Sequence, residues 1–575
     1  MSAREFRHDP GLRREILVVG AFTLAGVALR FWSFGRLGLI QFDEGVYALA
    51  GLWIFSPQGV AGLDPTLIAY APPGFPVLVG LAYGCLGVGD RSAILASILA
   101  GTLTIPAAGW LASRTFGRGA GAAAAALAAL SGPHLAFSRM ALTDASFLLC
   151  WIIALAQGQR FLERPNAVQA VLLGLSVGIA QLFKYNGWLA GILVVLTAAV
   201  SMTLPGCQRS PRRLLATWGW GLLAALVAAL AYWPWYRFVD SHGGYAALIA
   251  HQRGYLGGPQ RWPAYLGVQL AQARALSGGP AWQLLAGLAA AGGMWVARGG
   301  WPGWRALPRI LLLTGFLATL NAAGFLGLVF ATTAAWSLTV SSPGRADART
   351  LVLVGWISLV LLTPCYHPYA RLWLPIEALG WILMGGGSVA IGSRWGPSGA
   401  SGSAQARHGP PPDPIVALGA ICVLAVVLRT GPANASHEGR IGTLLQPTDS
   451  LRRACRAIAA ELPKGLRHLR VYARPAVTFY LAGRVAALPE ADLHGLSGAE
   501  SGSWALLDSA LVWRPGEGPE GLAGIDQRWR VVRSVPTELS LPTRLDIDPS
   551  AAWSGPSATS APLLLIQRIP PGDEP

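Results

Sequence analysis

Lysine is almost missing from this chain: Lys184 and Lys464 are the two it has, among 44 lysine and arginine residues. Charge of either sign is scarce. Charged residues fill 13% of the 575 positions, hydrophobic residues 53%, and the mean hydropathy is +0.46. A soluble globule carries about a quarter charged residues, so this composition excludes one and requires a polytopic membrane protein. The six cysteines, at 85, 150, 207, 365, 422 and 455, show no CxxC or Cys/His spacing, which argues against a metal cluster and a disulfide framework. No P-loop lysine is present, and Gly87-Val88-Gly89 and Gly117-Arg118-Gly119 lack the strand-to-helix setting of a dinucleotide site. A formal net charge of +16 would point to nucleic acid in a soluble protein. Here the arginines gather in short loops between apolar runs, the positive-inside pattern of membrane topology, and no nucleic-acid partner is expected.

What the chain has is long apolar runs, numbered here with basic loops as cytoplasmic markers. The first, residues 16–32, follows Arg4, Arg7, Arg13 and Arg14 without a small-residue cleavage site behind it. It reads as a retained helix with a cytoplasmic N-terminus. It runs outward and delivers Asp43 and Glu44. The stretch 75–88 follows Pro72-Pro73 and is interrupted by glycines. Counted as a full span it would place Arg114 and Arg118 outside, so it reads as a juxtamembrane or re-entrant element. The next span then runs inward from near Arg91 to Arg114, and residues 119–137 return outward to present Arg139 and Asp144 on the face that carries Asp43. Later basic loops fall on the cytoplasmic side, while Lys184-Tyr185-Asn186, a longer loop at 233–277 and the run from Tyr366 to Arg371 fall outside. Residues 307–340 are too long for one helix and are split near Asn321. The expectation is an α-helical polytopic membrane protein of about thirteen spans over residues 1–433, seated in the cell (inner) membrane. After a Gly/Ser/Pro-rich linker at 396–414 and a last helix at 415–428, the chain turns polar. Helical spacing at 451–462 and short strands at 469–472, 504–507, 530–535 and 563–569 predict a small external (periplasmic) α/β domain over 434–575.

Two adjacent carboxylates at the water-facing edge of a bilayer are costly to keep. Asp43 alone can be a helix cap or an arginine's partner; Glu44 beside it, Tyr47 four residues on and Asp144 arriving on the same side favour chemistry. A carboxylate there can take a proton from a hydroxyl as it attacks a sugar. Asp144 can act electrostatically, bind an acceptor amine or hydroxyl, or help hold a metal, and the sequence does not choose among these. Lysine at 184, in a chain that otherwise uses arginine, fits a compact charge for a phosphate oxygen, with a snorkelling interfacial lysine as the plain alternative. In the cluster Tyr366, His367, Tyr369 and Arg371, the arginine is the candidate phosphate partner, being costly to bury unpaired, while His367 either contacts substrate or bonds to backbone.

These segments resemble the GT-C membrane glycosyltransferases, in particular family 39, which holds the protein O-mannosyltransferases and the aminoarabinose transferases of lipid A. The resemblance is carried by Asp43-Glu44, by Pro72-Pro73, by Phe137-Ser138-Arg139-Met140-Ala141-Leu142-Thr143-Asp144, by Lys184-Tyr185, and by the run from His367 to Pro375. It implies a sugar donor on polyprenyl phosphate and an external hydroxyl acceptor on lipid, glycan or protein. Transfer would be direct and inverting, Asp43 would be the general base, and the polyprenyl tail would lie in a groove among membrane lipid. Taken together with the reading of the residues, the expected catalytic set is Asp43, Glu44 and Asp144, the donor phosphate falls to Lys184, Arg371 and Tyr369, and Tyr47, Tyr70, Arg139 and His367 line the substrate. No cofactor is required and no metal ligand is assigned, with a divalent metal left open. Two departures bear on the donor: the aminoarabinose transferases place a lysine before the proline where this chain has Ala71, and an arginine where it has Val46. A transporter or flippase of lipid-linked sugars is the rival reading; it would place its charges near the bilayer midplane, not at one face.

Overall fold

The computed structural model describes residues 9–55, 71–203, 211–299, 313–314, 317, 346–394, 440–482, 484–489, 496, 499–509, 528–547, 549 and 562–569. Tyr70, the linker at 396–414 and the expected spans within 307–340 and 415–428 lie outside these residues. Among the described residues, six helices are long and apolar enough to cross a membrane, or seven with one bent pair.

The helices are α1 (Pro10–Arg30), α2 (Phe42–Phe55), α3 (Gly74–Leu86), α4 (Asp90–Phe116), α5 (Ala120–Leu130), α6 (Gly132–Ser138), α7 (Thr143–Glu163), α8 (Ala167–Phe183) and α9 (Leu189–Thr203). They continue as α10 (Pro211–Ser241), α11 (Gly244–Arg253), α12 (Gly258–Ala275), α13 (Pro280–Ala297), α14 (Ala346–Leu362) and α15 (Leu374–Arg394). At the centre is α5, whose Ala-Gly-Ala-Ala-Ala-Ala-Ala-Leu-Ala-Ala-Leu sequence is buried throughout. Side chains this small let α1, α4, α13 and α15 close around it, which is how helices associate where lipid offers no hydrophobic driving force. The single span expected at 119–137 is instead broken, with α5 and α6 meeting at 58°. Pro133 cannot continue the hydrogen-bond ladder, and Ser131 caps the new helix, its Oγ accepting from the His134 N–H at 3.3 Å. Gly132 sits so close to α12 that a Cβ would lie 1.9 Å from the Leu276 carbonyl oxygen.

The two ends of the bundle differ in kind. At one end Arg118 pairs with Asp9, Arg114 with Glu163, and Arg213 lies 3.7 Å from Asp347. These are the basic loops read as cytoplasmic. The opposite end receives the C-termini of α1 and α8, the N-termini of α4 and α7, and the polar C-terminal part of the chain.

That part contains α16 (Ile441–Leu444), α17 (Ser450–Glu461), α18 (Pro475–Leu481), α19 (Leu541–Ile547) and strands β1 (His468–Tyr472), β2 (Ala486–Pro489), β3 (Trp504–Asp508), β4 (Trp529–Val535) and β5 (Leu563–Arg568). They form one mixed sheet in the order β2-β1-β3-β5-β4, with β1 parallel to β2 and β3, and β5 antiparallel to β3 and β4. Four strands fall where the alternation predicts them. The added strand, β2, has no β-branched residue within it and ends at Pro489 on the sheet edge, where the missing N–H costs nothing.

The sheet's helices dock on residues 36–45. Fully buried Arg474 holds Asp508 at 2.5 Å and donates to the Ile40 carbonyl at 2.6 Å. The Tyr480 hydroxyl accepts from the Leu39 N–H at 2.7 Å and donates to Asp90 at 3.0 Å. Gly45 meets α18 directly: a Cβ there would lie 2.0 Å from the Ala476 nitrogen and 2.5 Å from the Pro475 carbonyl carbon. Backbone on both sides leaves nothing to yield, so Gly45→Ala is expected to destabilise the protein by about 2 kcal/mol or more, read as a lower Tm in detergent. Gly35→Ala, with nothing within 4 Å, is the matched control and leaves Tm unchanged.

Candidate active site

Five charged side chains converge at the docked end of the bundle. Asp43 is the second residue of α2 and Asp144 the second of α7, each where the helix N-terminus favours a negative charge. Lys184 stands in extended backbone just past α8. Arg371 lies in a 3-10 turn, Ala370–Trp373, leading into α15. The fifth is Asp546, on α19 beside the C-terminal sheet.

Arg371 is the hub. Its Nη1 lies 2.5 Å from Asp43 Oδ2 and 4.0 Å from Asp144 Oδ2, and its Nε 3.6 Å from Asp546 Oδ2. Lys184 Nζ donates to Asp144 Oδ1 at 2.6 Å. Gln41 ties the ends together, its Oε1 accepting from the Asp43 N–H at 2.9 Å and its Nε2 donating to Asp546 Oδ2 at 3.0 Å. Exposure separates the carboxylates: the Asp43 side chain is 32% exposed, Asp144 2% and Asp546 5%. Asp144 Oδ2 and Asp546 Oδ1 are buried without a hydrogen-bond partner. Two cations face three carboxylates, so the fully ionised cluster carries one net negative charge. Among the described residues no three His, Cys, Asp or Glu side chains group as a cation site; guanidinium and ammonium groups stand between these carboxylates.

Aromatic rings wall the cluster. The Arg371 guanidinium sits 5.2 Å from the Tyr369 ring, and His367 packs on that ring at 4.5 Å. Tyr47 is buried edge-on against Phe75, and burial, with Asp43 nearby, holds its hydroxyl well above the ordinary range and therefore neutral. Among the described residues His367 itself makes no ion contact: its backbone N–H donates to the Tyr255 carbonyl at 2.7 Å, its ring lies among Tyr255, Tyr265 and Tyr369, and burial lowers its pKa.

Two of the residues grouped with Asp43 by sequence are placed elsewhere. Glu44 is fully buried, its carboxylate accepting N–H bonds from Ile40 and Gln41 at 2.9 Å each and Ala141 at 2.7 Å. Burial pushes the carboxyl up to about 7 against those three bonds. Glu44 thus pins the 139–142 loop to the start of α2, which sets the distance between Asp43 and Asp144. Arg139 turns to the backbone, with Nη2 2.8 Å from the Trp32 carbonyl and both Nη atoms 3.4 Å from the Leu444 and Leu445 carbonyls. Asp546 and Gln41 were not foreseen. Asp546 lies in a polar stretch with no local motif, and only the docking of the C-terminal sheet shows its destination.

Comparison with known proteins narrows the fold. ArnT from Cupriavidus metallidurans, solved with undecaprenyl phosphate bound, aligns at 16% identity with a TM-score of 0.53, covering 95% of this chain and 97% of that one. The chain has the GT-C fold. Residues 70–235 match the family model described as dolichyl-phosphate-mannose-protein mannosyltransferase. More distant GT-C likenesses are the oligosaccharyltransferase AglB from Archaeoglobus fulgidus (13% identity, TM-score 0.48, covering 88% of this chain and 72% of that one) and the S. cerevisiae Pmt1-Pmt2 complex (16%, 0.33, 40% and 34%). No curated protein matches the sequence at a significant level.

Burial raises the Asp546 carboxyl to about 6, with Arg371 and Gln41 acting against the rise and Asp43 and Asp144 adding to it. A folded-state pKa above the unfolded value means the native state holds the proton more tightly, so this group's contribution is fully present below about pH 4 and is lost as pH climbs through about 6. Asp546→Asn removes that loss. Relative to wild type, the variant should gain up to about 3 kcal/mol between pH 4 and pH 7, measured as diverging Tm values in detergent across that range.

Proposed function

We propose that this protein is a glycosyltransferase that moves a sugar, hexose or pentose, from a polyprenyl-phosphate donor to a hydroxyl acceptor at the external face of the membrane, with inversion. One observation carries the reading: the Asp43 carboxylate, the most exposed of the three, shares a guanidinium with two further carboxylates at the mouth of a GT-C bundle. A donor phosphate would compete with Asp43 for Arg371. Its arrival would free the most exposed carboxylate of the set while Arg371 and Lys184 took up phosphate charge.

Asp43 would then accept the acceptor's O–H proton as the oxygen attacks the anomeric carbon. The bond from that carbon to the phosphate oxygen breaks on the opposite face, and the polyprenyl phosphate leaves with the electron pair. Attack opposite the leaving group inverts the centre, through a transition state of oxocarbenium character. The two cations would stabilise the charge that builds on the departing phosphate. Asp144 would hold Lys184, and the partnerless oxygens of Asp144 and Asp546 would receive hydroxyl or amine donors of the substrates. Lipid, glycan and protein acceptors all offer the required hydroxyl. The names of the related proteins agree with a lipid-phosphate donor, ArnT holding undecaprenyl phosphate and the matched family being named for dolichyl-phosphate-mannose. A flippase is less well served, because the charges lie at helix ends and not midway along the spans.

The test is Asp43→Asn in proteoliposomes with radiolabelled polyprenyl-phosphate sugar. Transfer should fall about 10²–10⁴-fold while donor binding persists; transfer at the wild-type rate would remove Asp43 from the base position.

A further inference from the structure

The far end of α2 faces a second, separate feature. Leu52 lies nine residues beyond Asp43, about 14 Å along the helix at ~1.5 Å per residue. There, between Leu52, the Val88–Asp90 turn before α4, and helices α17 and α18, lies a cavity of about 300 Å³. Its two sides differ in chemistry. Leu52, Val88 and Phe479 form an apolar side, while Arg452, Arg456 and Arg484 line the other with Asp90 as the carboxylate.

That carboxylate is already committed, holding Arg452 at 2.9 Å and accepting from the Tyr480 hydroxyl at 3.0 Å. Arg452 is committed in turn, to Asp90 and to Asp449 at 3.1 Å. Arg456 and Arg484 are exposed and form no ion pair among the described residues. Two free guanidinium groups therefore open on a cavity whose one acid is spent.

Location supplies the rest. The cavity sits at the head of the span Asp90–Phe116, beside the apolar helix α3. The exposed side chains of Leu86 (60%) and Val88 (50%) run from its rim onto the flank of the bundle. A free anion would use the arginines and leave this apolar flank bare. A lipid uses both.

We propose that this cavity seats the phosphate of an anionic membrane lipid, its headgroup on Arg456 and Arg484 and its acyl chains along Val88, Leu86 and the outer face of α3. Guanidinium groups suit phosphate oxygens in planar, two-point fashion, and each basic side chain near an anionic membrane surface adds a sizeable increment of binding. The site stands independently of the sugar-transfer reading, since none of its residues belongs to the Arg371 cluster.

The experiment uses the delipidated full-length protein in detergent, titrated with phosphatidylglycerol and followed by native mass spectrometry, with diacylglycerol and inorganic phosphate as parallel arms. One phosphatidylglycerol should be retained by the wild type about tenfold or more above the Arg456→Gln/Arg484→Gln double variant, and diacylglycerol should not be retained. Equal retention by the two proteins overturns the site. Inorganic phosphate displacing the lipid at millimolar concentration overturns the lipid assignment and leaves a bare anion site. Both arginines are exposed, so an unchanged Tm will verify that the variant is folded; if it is not, Arg484→Gln alone should weaken retention several-fold, and wild-type retention by that single variant overturns the site in the same way.

Discussion

A largely enclosed guanidinium surrounded by acids holds this end of the molecule together. Arg371 is mostly enclosed, and an unpaired charge there would be costly to keep from water. Its partners come from three places far apart in the sequence, positions 43, 144 and 546. Each is delivered by a different device: the first turn of α2, the first turn of α7, and a short helix beside the C-terminal sheet. None of these segments would hold its carboxylate against the others without the cation between them. The same cation therefore organises the mouth of the bundle and offers the positive charge a phosphate would seek.

Asp43 and Glu44 divide two tasks that adjacency in sequence had merged. A helix turns by about 100° per residue, so neighbours in the first turn of α2 face different surroundings. Asp43 meets Arg371 and partial solvent. Glu44 meets three backbone N–H groups and none of the cluster's cations. Its bond to the Ala141 N–H sets the spacing on which the Asp43–Arg371–Asp144 arrangement rests.

Much of the membrane part was legible because its signals are local and periodic. The rejection of 75–88 as a full span, the start of α4 near Arg91 and the arrival of Asp144 beside Asp43 follow from arginine placement and run length, and the structure puts the basic loops at one end and the acidic cluster at the other. The break at Ser131 was not legible, although Gly132-Pro133 carried the signal, because an alanine-rich run on either side looks like one helix. Strand β2 was hidden by its want of β-branched residues. Asp546 was illegible for a different reason: its place depends on how the sheet docks, and docking is set by Arg474, Tyr480 and Gly45, whose partners in another part of the chain are mostly backbone atoms. Arg139 misled in the opposite direction, an arginine in a motif-like run whose two Nη atoms donate to backbone carbonyls.

Asp546 follows every described span in the sequence, and this imposes an order on biogenesis. During synthesis the bundle can insert and Arg371 can meet Asp43 and Asp144 while the polar segment is still being made. Gln41 has no acid to bridge to, and the third side of the cluster stays open, until that segment has been made and packed onto the loop after α1. Completion of the cluster thus waits on the segment made last, so the acidic ring around Arg371 closes only after the C-terminal part has folded onto the bundle.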